Sequence, residues 1–230
     1  MERKTALIVG ASRGLGLAMV KEFLARNWRV VATARPTSRI ALEELAERFS
    51  GQLEIEMIDI TDPQQISSLG LRLQDRKFEL LFVNAGVANE RYETIAEVST
   101  EEFVRIMITN ALSPMRIVER FQTNVSANGT IGVMSSGQGS VADNETGGFE
   151  VYRASKAALN TLMRSFAARH TGDSRSLLLV APGWVRTDMG GPEARYSIEE
   201  AIPRVVDTIL AQTNKGGLQY LDQFGKIVRW

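Results

Sequence analysis

The amino-acid sequence predicts an α/β fold built around a parallel β-sheet. Short apolar runs of strand length alternate with longer stretches of helical periodicity, which is typical of parallel βα units rather than hairpins. The 230 residues are enough for one domain with a large core and too few for two domains of typical size. Because no internal repeat or Pro/Gly/Ser-rich linker interrupts the chain, we expect a single domain over residues 1–230.

The predicted elements follow one another as alternating strands and helices. Apolar runs predict strands near 5–10, 29–34, 53–58, 79–84, 129–135, 175–181 and 218–221. Helical periodicity predicts helices near 14–26, 39–49, 63–75, 101–121, 151–170 and 199–213. Asp62 before Pro63 marks one helix start, and Ser99 ahead of two glutamates marks the next. The turn-rich loop from Gly137 to Gly148 follows a strand, so we expect it to line a site.

Composition excludes several classes of function. Lys and Arg together number 27, as do Asp and Glu, so no net charge attracts the protein to nucleic acid or to an anionic membrane. The chain has no cysteine and one histidine, which argues against disulfides, thiolate catalysis and the usual metal sites. The apolar stretch that begins at Ala6 is too short for a signal peptide or a membrane span. We therefore expect a cytoplasmic protein without a metal.

The first predicted strand leads into a helix through a glycine-rich turn. Gly10, Gly14 and Gly16 have the spacing Gly-x3-Gly-x-Gly. Gly10 would let the chain turn off the strand, Gly14 would let backbone amides approach a pyrophosphate, and Gly16 would let the helix pack against the sheet. A tight turn without a ligand could use the same glycines. The strand–turn–helix context favours a dinucleotide site.

Two arginines indicate which dinucleotide would bind. The second predicted strand ends at Arg35 and lacks the acidic residue that would bind the ribose of NAD. Arg35, together with Arg13 in the glycine turn, could pair with the 2′-phosphate of NADP. Either arginine alone could equally be a solvated surface charge. Their joint placement favours NADP(H) as the cofactor.

A tyrosine and a lysine lie one helical turn apart. Tyr152 and Lys156 are at the start of a strongly helical stretch, so their side chains share a face. A phenol with a pKa of about 10 is a poor acid at neutral pH, but an adjacent ammonium favours the phenolate and lowers that pKa. The pair therefore predicts a proton donor and acceptor, although a Tyr-x3-Lys spacing in isolation has little meaning.

Taken together, these motifs resemble the short-chain dehydrogenase/reductase family over nearly the whole chain. The resemblance rests on the glycine turn, Asn84-Ala85-Gly86, Asn110, Ser135-Ser136, and the Tyr152/Lys156 pair. It implies a doubly wound Rossmann fold of about seven parallel strands in the order 3-2-1-4-5-6-7. It also implies that Ser136 orients a substrate carbonyl while Tyr152 acts as acid and base. Lys156 would lower the pKa of the tyrosine, and Asn110 would hold a water in a proton relay.

The same resemblance outlines a cleft for NADP(H). The residues expected to contact the cofactor are Gly10, Ser12, Arg13, Gly14, Leu15, Gly16, Arg35, Asp59, Ile60, Asn84, Ala85, Gly86, Tyr152, Lys156, Pro182, Gly183, Val185 and Thr187. Asp59 and Ile60 would meet the adenine. The segment 182–187 after the sixth strand would receive the nicotinamide carboxamide, with Val185 and Thr187 as contacts.

Two longer runs, 152–160 and 182–191, resemble the C-factor and sniffer-type carbonyl reductase branch of the family. One spacing departs from the common pattern, because Ser136 and Tyr152 are sixteen positions apart where most members have thirteen. The extra residues belong to the stretch 143–148, which also resembles the C-factor branch. We therefore choose Ser136 as the catalytic serine, with Ser135 as the alternative.

Other candidate residues have simpler explanations. His170 follows a long helix and fits a favourable charge at the helix end better than a catalytic base. The three glutamates of 43–47 lie among arginines on one helix and fit a solvated face. Trp184 could either line a substrate pocket or be a buried packing anchor.

The predicted reaction is reduction of an aldehyde or ketone by NADPH, or its reverse. Tyr152 would protonate the carbonyl oxygen while Ser136 stabilises the developing oxyanion. A signalling or cofactor-sensing role, as associated with C-factor proteins, is a second possibility, and a structural subunit is a third. Members of the family commonly pair through the helices near 101–121 and 151–170, so a homodimer or homotetramer is possible. Beyond a small-molecule substrate, no nucleic-acid or membrane partner is expected.

Overall fold

The structure, a computed structural model, describes residues 3–230, so the first two residues of the N-terminal segment lie outside it. Seven strands form one sheet in the order β3-β2-β1-β4-β5-β6-β7, and every neighbouring pair is parallel. The strands are β1 (Thr5–Val9), β2 (Arg29–Ala34), β3 (Leu53–Met57), β4 (Phe78–Val83), β5 (Val125–Met134), β6 (Ser176–Ala181) and β7 (Gly217–Asp222). The predicted fold class and strand order are confirmed.

Helices cover both faces of the sheet. They are α1 (Gly14–Ala25), α2 (Ile40–Arg48), α3 (Pro63–Arg72), α4 (Thr100–Met107), α5 (Ser113–Phe121), α6 (Glu150–Arg169) and α7 (Ile198–Ala211). Apolar side chains of α3, α5 and α6 pack on one face, whereas those of α1, α2 and α7 pack on the other. This doubly wound arrangement is what right-handed βαβ crossovers produce when the strand order reverses direction.

The central strands are buried on both faces, and their sequences show it. In β1, Leu7 and Val9 join the core under α3, α5 and α6, while Ala6 and Ile8 join the core under α1, α2 and α7. A strand covered on both faces has no solvent-exposed side chains, so its sequence is a continuous apolar run and not an alternation of apolar and polar residues. That is why the strands could be located from short apolar runs.

The helix predicted over 101–121 is interrupted. A π-helical turn, Ile108–Leu112, separates α4 from α5. Pro114 in the first turn of α5 cannot donate a backbone hydrogen bond to the carbonyl four residues earlier, that of Asn110, and its ring crowds that carbonyl. The wider turn relieves this conflict, and such π-bulges frequently occur at functional sites.

β5 begins at Val125, four positions before its predicted start. Of the four added residues, Val125 is apolar and buried, whereas Ser126, Ala127 and Asn128 are polar or small and give no apolar signal. The pairing of β4 with β5 shifts register between Phe78 and Leu80, so these residues form an irregular stretch of the strand pair. A bulge of this kind depends on the partner strand, which local sequence does not show.

The predicted helix starts are confirmed. The side chain of Asp62 accepts a hydrogen bond from the Gln64 amide at 2.9 Å, and Ser99 accepts one from the Glu102 amide at 3.1 Å. These caps fix where the loops that follow the strands end.

No helix within residues 3–230 is both long and apolar enough to cross a membrane. The same part of the chain contains no group of three His, Cys, Asp or Glu side chains that could hold a metal ion.

Candidate active site

The glycine turn after β1 is closely packed against the end of β4. Gly10 has a φ of +85°, and a Cβ there would lie 2.6 Å from the Cβ of Ala85. A Cβ at Gly16 would lie 2.1 Å from the Gly10 carbonyl oxygen. Asn84 Nδ2 donates to that same oxygen at 2.8 Å. The two glycines are therefore required by backbone and side-chain packing, and the turn, Asn84 and Ala85 form one unit.

The start of α1 has the features of an anion-binding site. Arg13 precedes the helix in an extended conformation, no side chain caps the first amides, and the first turn has no acidic residue. These amides and the positive end of the helix dipole therefore face outwards. Ser12 and Leu15 lie half-buried on either side of Arg13 and Gly14. A pyrophosphate fits this arrangement.

The two arginines that the sequence groups together differ in their ionic partners. The guanidinium of Arg13 forms an exposed ion pair with Asp188, in the segment that follows β6. Arg35 directly follows β2, is exposed, and pairs with no carboxylate of residues 3–230. Exposed ion pairs are weak, so Arg13 remains exchangeable. Arg35 is the more available of the two guanidinium groups.

The edge where adenine is expected lies after β3. Ile60 is buried, with 7% of its surface exposed, and Asp59 is half-buried. Asp59 Oδ1 accepts hydrogen bonds from the amide of Thr61 at 2.9 Å and from its hydroxyl at 2.7 Å. The carboxylate therefore closes a tight local turn, which holds the edge in place.

Tyr152 and Lys156 lie on one face of α6, as predicted. Lys156 is 3% exposed, its Nζ donates to the carbonyl oxygen of Met134 at 2.9 Å, and it lies 5.8 Å from the centroid of the Tyr152 ring. Burial disfavours the charged form and lowers the pKa of Lys156 from 10.5 to about 8. The lysine therefore titrates close to neutral pH.

The pKa of Tyr152 moves opposite to the sequence-based expectation. Burial raises the pKa of its phenol, a hydrogen bond with the Ser136 side chain opposes that rise, and nearby Tyr220 adds to it. The expectation that Lys156 would lower this pKa is wrong for this structure, because desolvation of the phenol outweighs every other influence. At neutral pH Tyr152 is therefore protonated.

The two neighbouring serines face different ways. Ser135 is buried, and its Oγ donates to Asn160 Oδ1 at 2.6 Å. Ser136 is half-buried and interacts with the Tyr152 side chain. Successive residues of an extended segment point to opposite sides, which explains the difference. The geometry brings Ser136, and not Ser135, to the tyrosine.

Asn110 lies in the π-helical turn and is fully buried. Its Oδ1 accepts from the Val87 amide and its Nδ2 donates to the Val87 carbonyl, both at 2.8 Å. A Cβ at Gly86 would lie 3.3 Å from Asn110 Oδ1 and 3.4 Å from Lys156 Nζ. Gly86, Asn110 and Lys156 therefore meet at one point, behind Tyr152.

The segment after β6 meets the glycine turn. Gly183 has a φ of +85°, and a Cβ there would lie 2.4 Å from Gln223 Nε2. Pro182 and Val185 are buried, and the methyl group of Thr187 lies 3.9 Å from where a Cβ of Gly14 would be. The predicted cofactor segments at the ends of β1 and β6 thus face each other across one cleft.

Tyr220, which the sequence did not single out, supports the backbone of Ser136. The hydroxyl of the buried Tyr220, on β7, donates to the backbone carbonyl of Ser136. In the sequence Tyr220 looks like any other strand residue.

Trp184 is 46% exposed and its Nε1 donates to the Gly190 carbonyl at 2.7 Å, which fits a pocket wall and not a buried anchor. His170 lies at the end of α6, as expected, bonded to the carbonyl of Phe166.

A doubly wound sheet that combines an anion-binding glycine turn with a tyrosine beside a buried lysine at one edge is typical of a nucleotide-dependent oxidoreductase. The family comparison agrees. The chain belongs to the short chain dehydrogenase family, whose family model matches residues 4–196.

Three similar proteins place the chain within that family. A Burkholderia multivorans protein described as a short-chain dehydrogenase/reductase, crystallised with bound NADP, is 57% identical over 100% of both chains, with a TM-score of 0.98. Carbonyl reductase Sniffer of D. melanogaster is 27% identical over 100% of both chains, with a TM-score of 0.90. C-signal of Myxococcus xanthus is 30% identical over 154 residues, which are 66% of this chain and 92% of C-signal. The resemblance to the family and to its C-factor and carbonyl reductase members is confirmed.

The burial of Lys156 predicts a pH-dependent stability. Between the folded pKa of about 8 and the ordinary value of 10.5, the unfolded chain binds more protons, so stability rises with pH. Relative to Lys156→Met, the free energy of unfolding of the wild type should increase by about 2 kcal/mol between about pH 7 and about pH 9.5. Urea denaturation at both pH values measures this. The variant Lys215→Met, at an exposed lysine, should keep the pH profile of the wild type. Equal pH profiles for the wild type and Lys156→Met would contradict the lowered pKa of Lys156.

Proposed function

We propose that this oxidoreductase transfers hydride between NADP(H) and a small aldehyde or ketone, with Tyr152 as the proton donor and acceptor. The observation that carries the proposal is the convergence of Tyr152, Ser136, Lys156 and Asn110 at the sheet edge that also holds the glycine turn. Catalytic side chains and an anion-binding turn share one cleft, which a structural subunit would not need.

NADP(H) is the cofactor that the cleft fits. The amides at the start of α1 would bind the pyrophosphate, and Arg35, joined by Arg13, would pair with the 2′-phosphate. The turn after β3 would support the adenine, and the segment 182–187 would hold the nicotinamide. When bound, the nicotinamide supplies or accepts the hydride. NADP in the Burkholderia multivorans structure, at 57% identity, supports this choice.

The raised pKa of Tyr152 suits reduction. A phenol that stays protonated at neutral pH is available to donate its proton to a carbonyl oxygen. The Ser136 hydroxyl, which faces the same phenol, would donate a hydrogen bond to the oxygen as negative charge develops there. The geometry therefore supports Tyr152 as the acid and Ser136 as the oxyanion contact.

Lys156 and Asn110 would restore the proton on Tyr152. Lys156, with a pKa of about 8, exchanges protons readily near neutral pH, and its Nζ lies beside Asn110 and Gly86. The side-chain amide of Asn110 is fixed by its bonds to Val87, so a water beside it would be held in a constant position. Such a water would connect the lysine with solvent.

The segment that follows β6 limits the substrate. Only ten residues lie between Thr187 and the start of α7 at Ile198, and part of them pairs back on Val185 through Tyr196. Little chain is left for an elaborate lid. We infer an open pocket for a small or exposed carbonyl compound.

A second copy of the chain is the proposed partner. Leu112 and Leu162 are 40% and 41% exposed, and they border a groove of about 400 Å³ between the π-helical turn and α6. Its other lining residues are Met107, Ile108, Ala111, Ala158 and Thr161. Contiguous apolar surface of this kind marks association sites, and pairing through α4, α5 and α6 would cover it.

Arg35→Ala should weaken NADPH binding and leave NADH binding unchanged. Charge-assisted hydrogen bonds to the 2′-phosphate contribute about 1.5–3 kcal/mol, so the dissociation constant for NADPH should rise roughly 10- to 100-fold. Isothermal calorimetry with each nucleotide measures it. Arg48→Ala, an exposed arginine at the end of α2, is the matched control. Equal loss for both nucleotides, or no loss, would contradict the proposed phosphate contact.

Tyr152→Phe should lower kcat for an aldehyde by about 10²- to 10⁴-fold, since the proton donor is removed while the ring remains. Its affinity for NADPH should stay within about twofold. Tyr92→Phe, at a tyrosine that is 80% exposed, should retain full activity. NADPH binding by the wild type without turnover of any aldehyde or ketone would instead favour the sensing role suggested by the similarity to C-signal.

Leu162→Glu should halve the mass of the assembly at micromolar concentration, because it places a charge at the centre of the proposed contact. Light scattering coupled to size-exclusion chromatography measures this. Leu71→Glu, at a leucine that is 64% exposed on α3, should leave the mass unchanged. A monomeric wild type would rule out the homodimer.

A further inference from the structure

Three segments that follow strands meet at the outer rim of the cleft. They are the segment after β4, which holds Arg91; the segment after β5, which ends at Phe149; and the segment after β6, which holds Trp184. The Phe149 amide donates to the Arg91 carbonyl at 2.8 Å, so the first two segments are joined through their backbones. The position of Arg91 is therefore set by the framework of the site.

The guanidinium of Arg91 lies among aromatic rings. Its central carbon is 5.4 Å from the ring centroid of Tyr92, 5.7 Å from that of Phe149 and 5.6 Å from that of Trp184. The guanidinium is exposed, and cation–π attraction to these rings favours this position over others. Because an arginine presents its donors in a planar fork, an arginine held in this way loses little further freedom when it binds a ligand.

Arg91 has no acidic partner in the described part of the chain. Glu93 and Glu150, which lie close in sequence to Arg91 and Phe149, accept hydrogen bonds from Asn89 and from the Ile95 amide instead. On the same side of the sheet, Arg13 is paired with Asp188. A guanidinium that is positioned but uncompensated attracts an anion.

The arginine faces the proposed reaction centre across one ring. Phe149 lies 6.0 Å from the ring centroid of Tyr152 and 5.7 Å from the Arg91 guanidinium. Trp184 belongs to the segment that would hold the nicotinamide. A substrate whose carbonyl reaches Tyr152 would therefore have its other end beside Arg91, with the faces of Phe149 and Trp184 along its body.

From this geometry we propose that Arg91 binds a carboxylate on the substrate, so that the natural substrates are aldehydes or ketones with an apolar body and a remote carboxylate. This inference rests on the proposed function, since it assumes that Tyr152 marks the reaction centre. A carboxylate accepts two parallel hydrogen bonds from the guanidinium fork, and the half-buried ring of Phe149 shields one side of that pair from water.

The test compares charged and neutral substrates of matched shape. The probes are 4-carboxybenzaldehyde and 4-formylcinnamic acid, which differ in length, each with its methyl ester, and NADPH oxidation gives kcat/KM. The wild type should prefer the acids over the esters by roughly 10- to 100-fold, as expected for charge-assisted hydrogen bonds. Arg91→Gln should abolish that preference and keep the activity on the esters. Arg91→Lys should retain part of it, and Arg48→Gln all of it.

A binding measurement separates this inference from the proposed function. Calorimetry of terephthalate with the NADP-loaded protein, wild type and Arg91→Gln, requires no turnover. Turnover of the esters without preference for the acids overturns the Arg91 site and leaves the proposed function standing. Terephthalate binding that depends on Arg91, without turnover of any probe, supports the site and contradicts the proposed function. If terephthalate does not bind and no probe is turned over, both the Arg91 site and the proposed function are contradicted.

Discussion

The parallel register of the sheet is the constraint on which the site depends. Because all seven strands run the same way, the carboxyl ends of β1, β4, β5 and β6 meet at one edge. Asn84 fixes that edge, since its side chain donates to the carbonyl of Gly10 and joins the ends of two strands. The positions of the glycine turn, of Ser136 and of the segment proposed to hold the nicotinamide all follow from this shared edge, and α6 adds the tyrosine and the lysine.

Burial gives the paired side chains their chemistry at the expense of stability. Lys156 is removed from water with one hydrogen bond, to the Met134 carbonyl, and the remainder of its hydration is not replaced by a carboxylate of residues 3–230. The same burial raises the pKa of the Tyr152 phenol. Desolvation thus moves the two pKa values apart, which keeps the phenol protonated while the lysine exchanges its proton near neutral pH.

Local sequence predicted the strands, the helix caps and the glycine turn because each depends on neighbouring residues or on simple burial. The motifs also brought Ser136, Tyr152 and Lys156 together correctly. What could not be predicted depends on distant parts of the chain. The pKa of Tyr152 is raised because segments distant in the sequence bury its phenol. Arg91 has no local motif, since its aromatic neighbours come from three separate loops.

The contact between Tyr220 and Ser136 joins two parts of the chain that are synthesised at different times. β7 is the last strand in chain order, and its tyrosine supports the carbonyl of the serine that follows β5. During synthesis from the amino terminus, the glycine turn is made roughly two hundred residues before this support exists. A nascent chain therefore contains the glycine turn long before Tyr220 is available to support the carbonyl of Ser136.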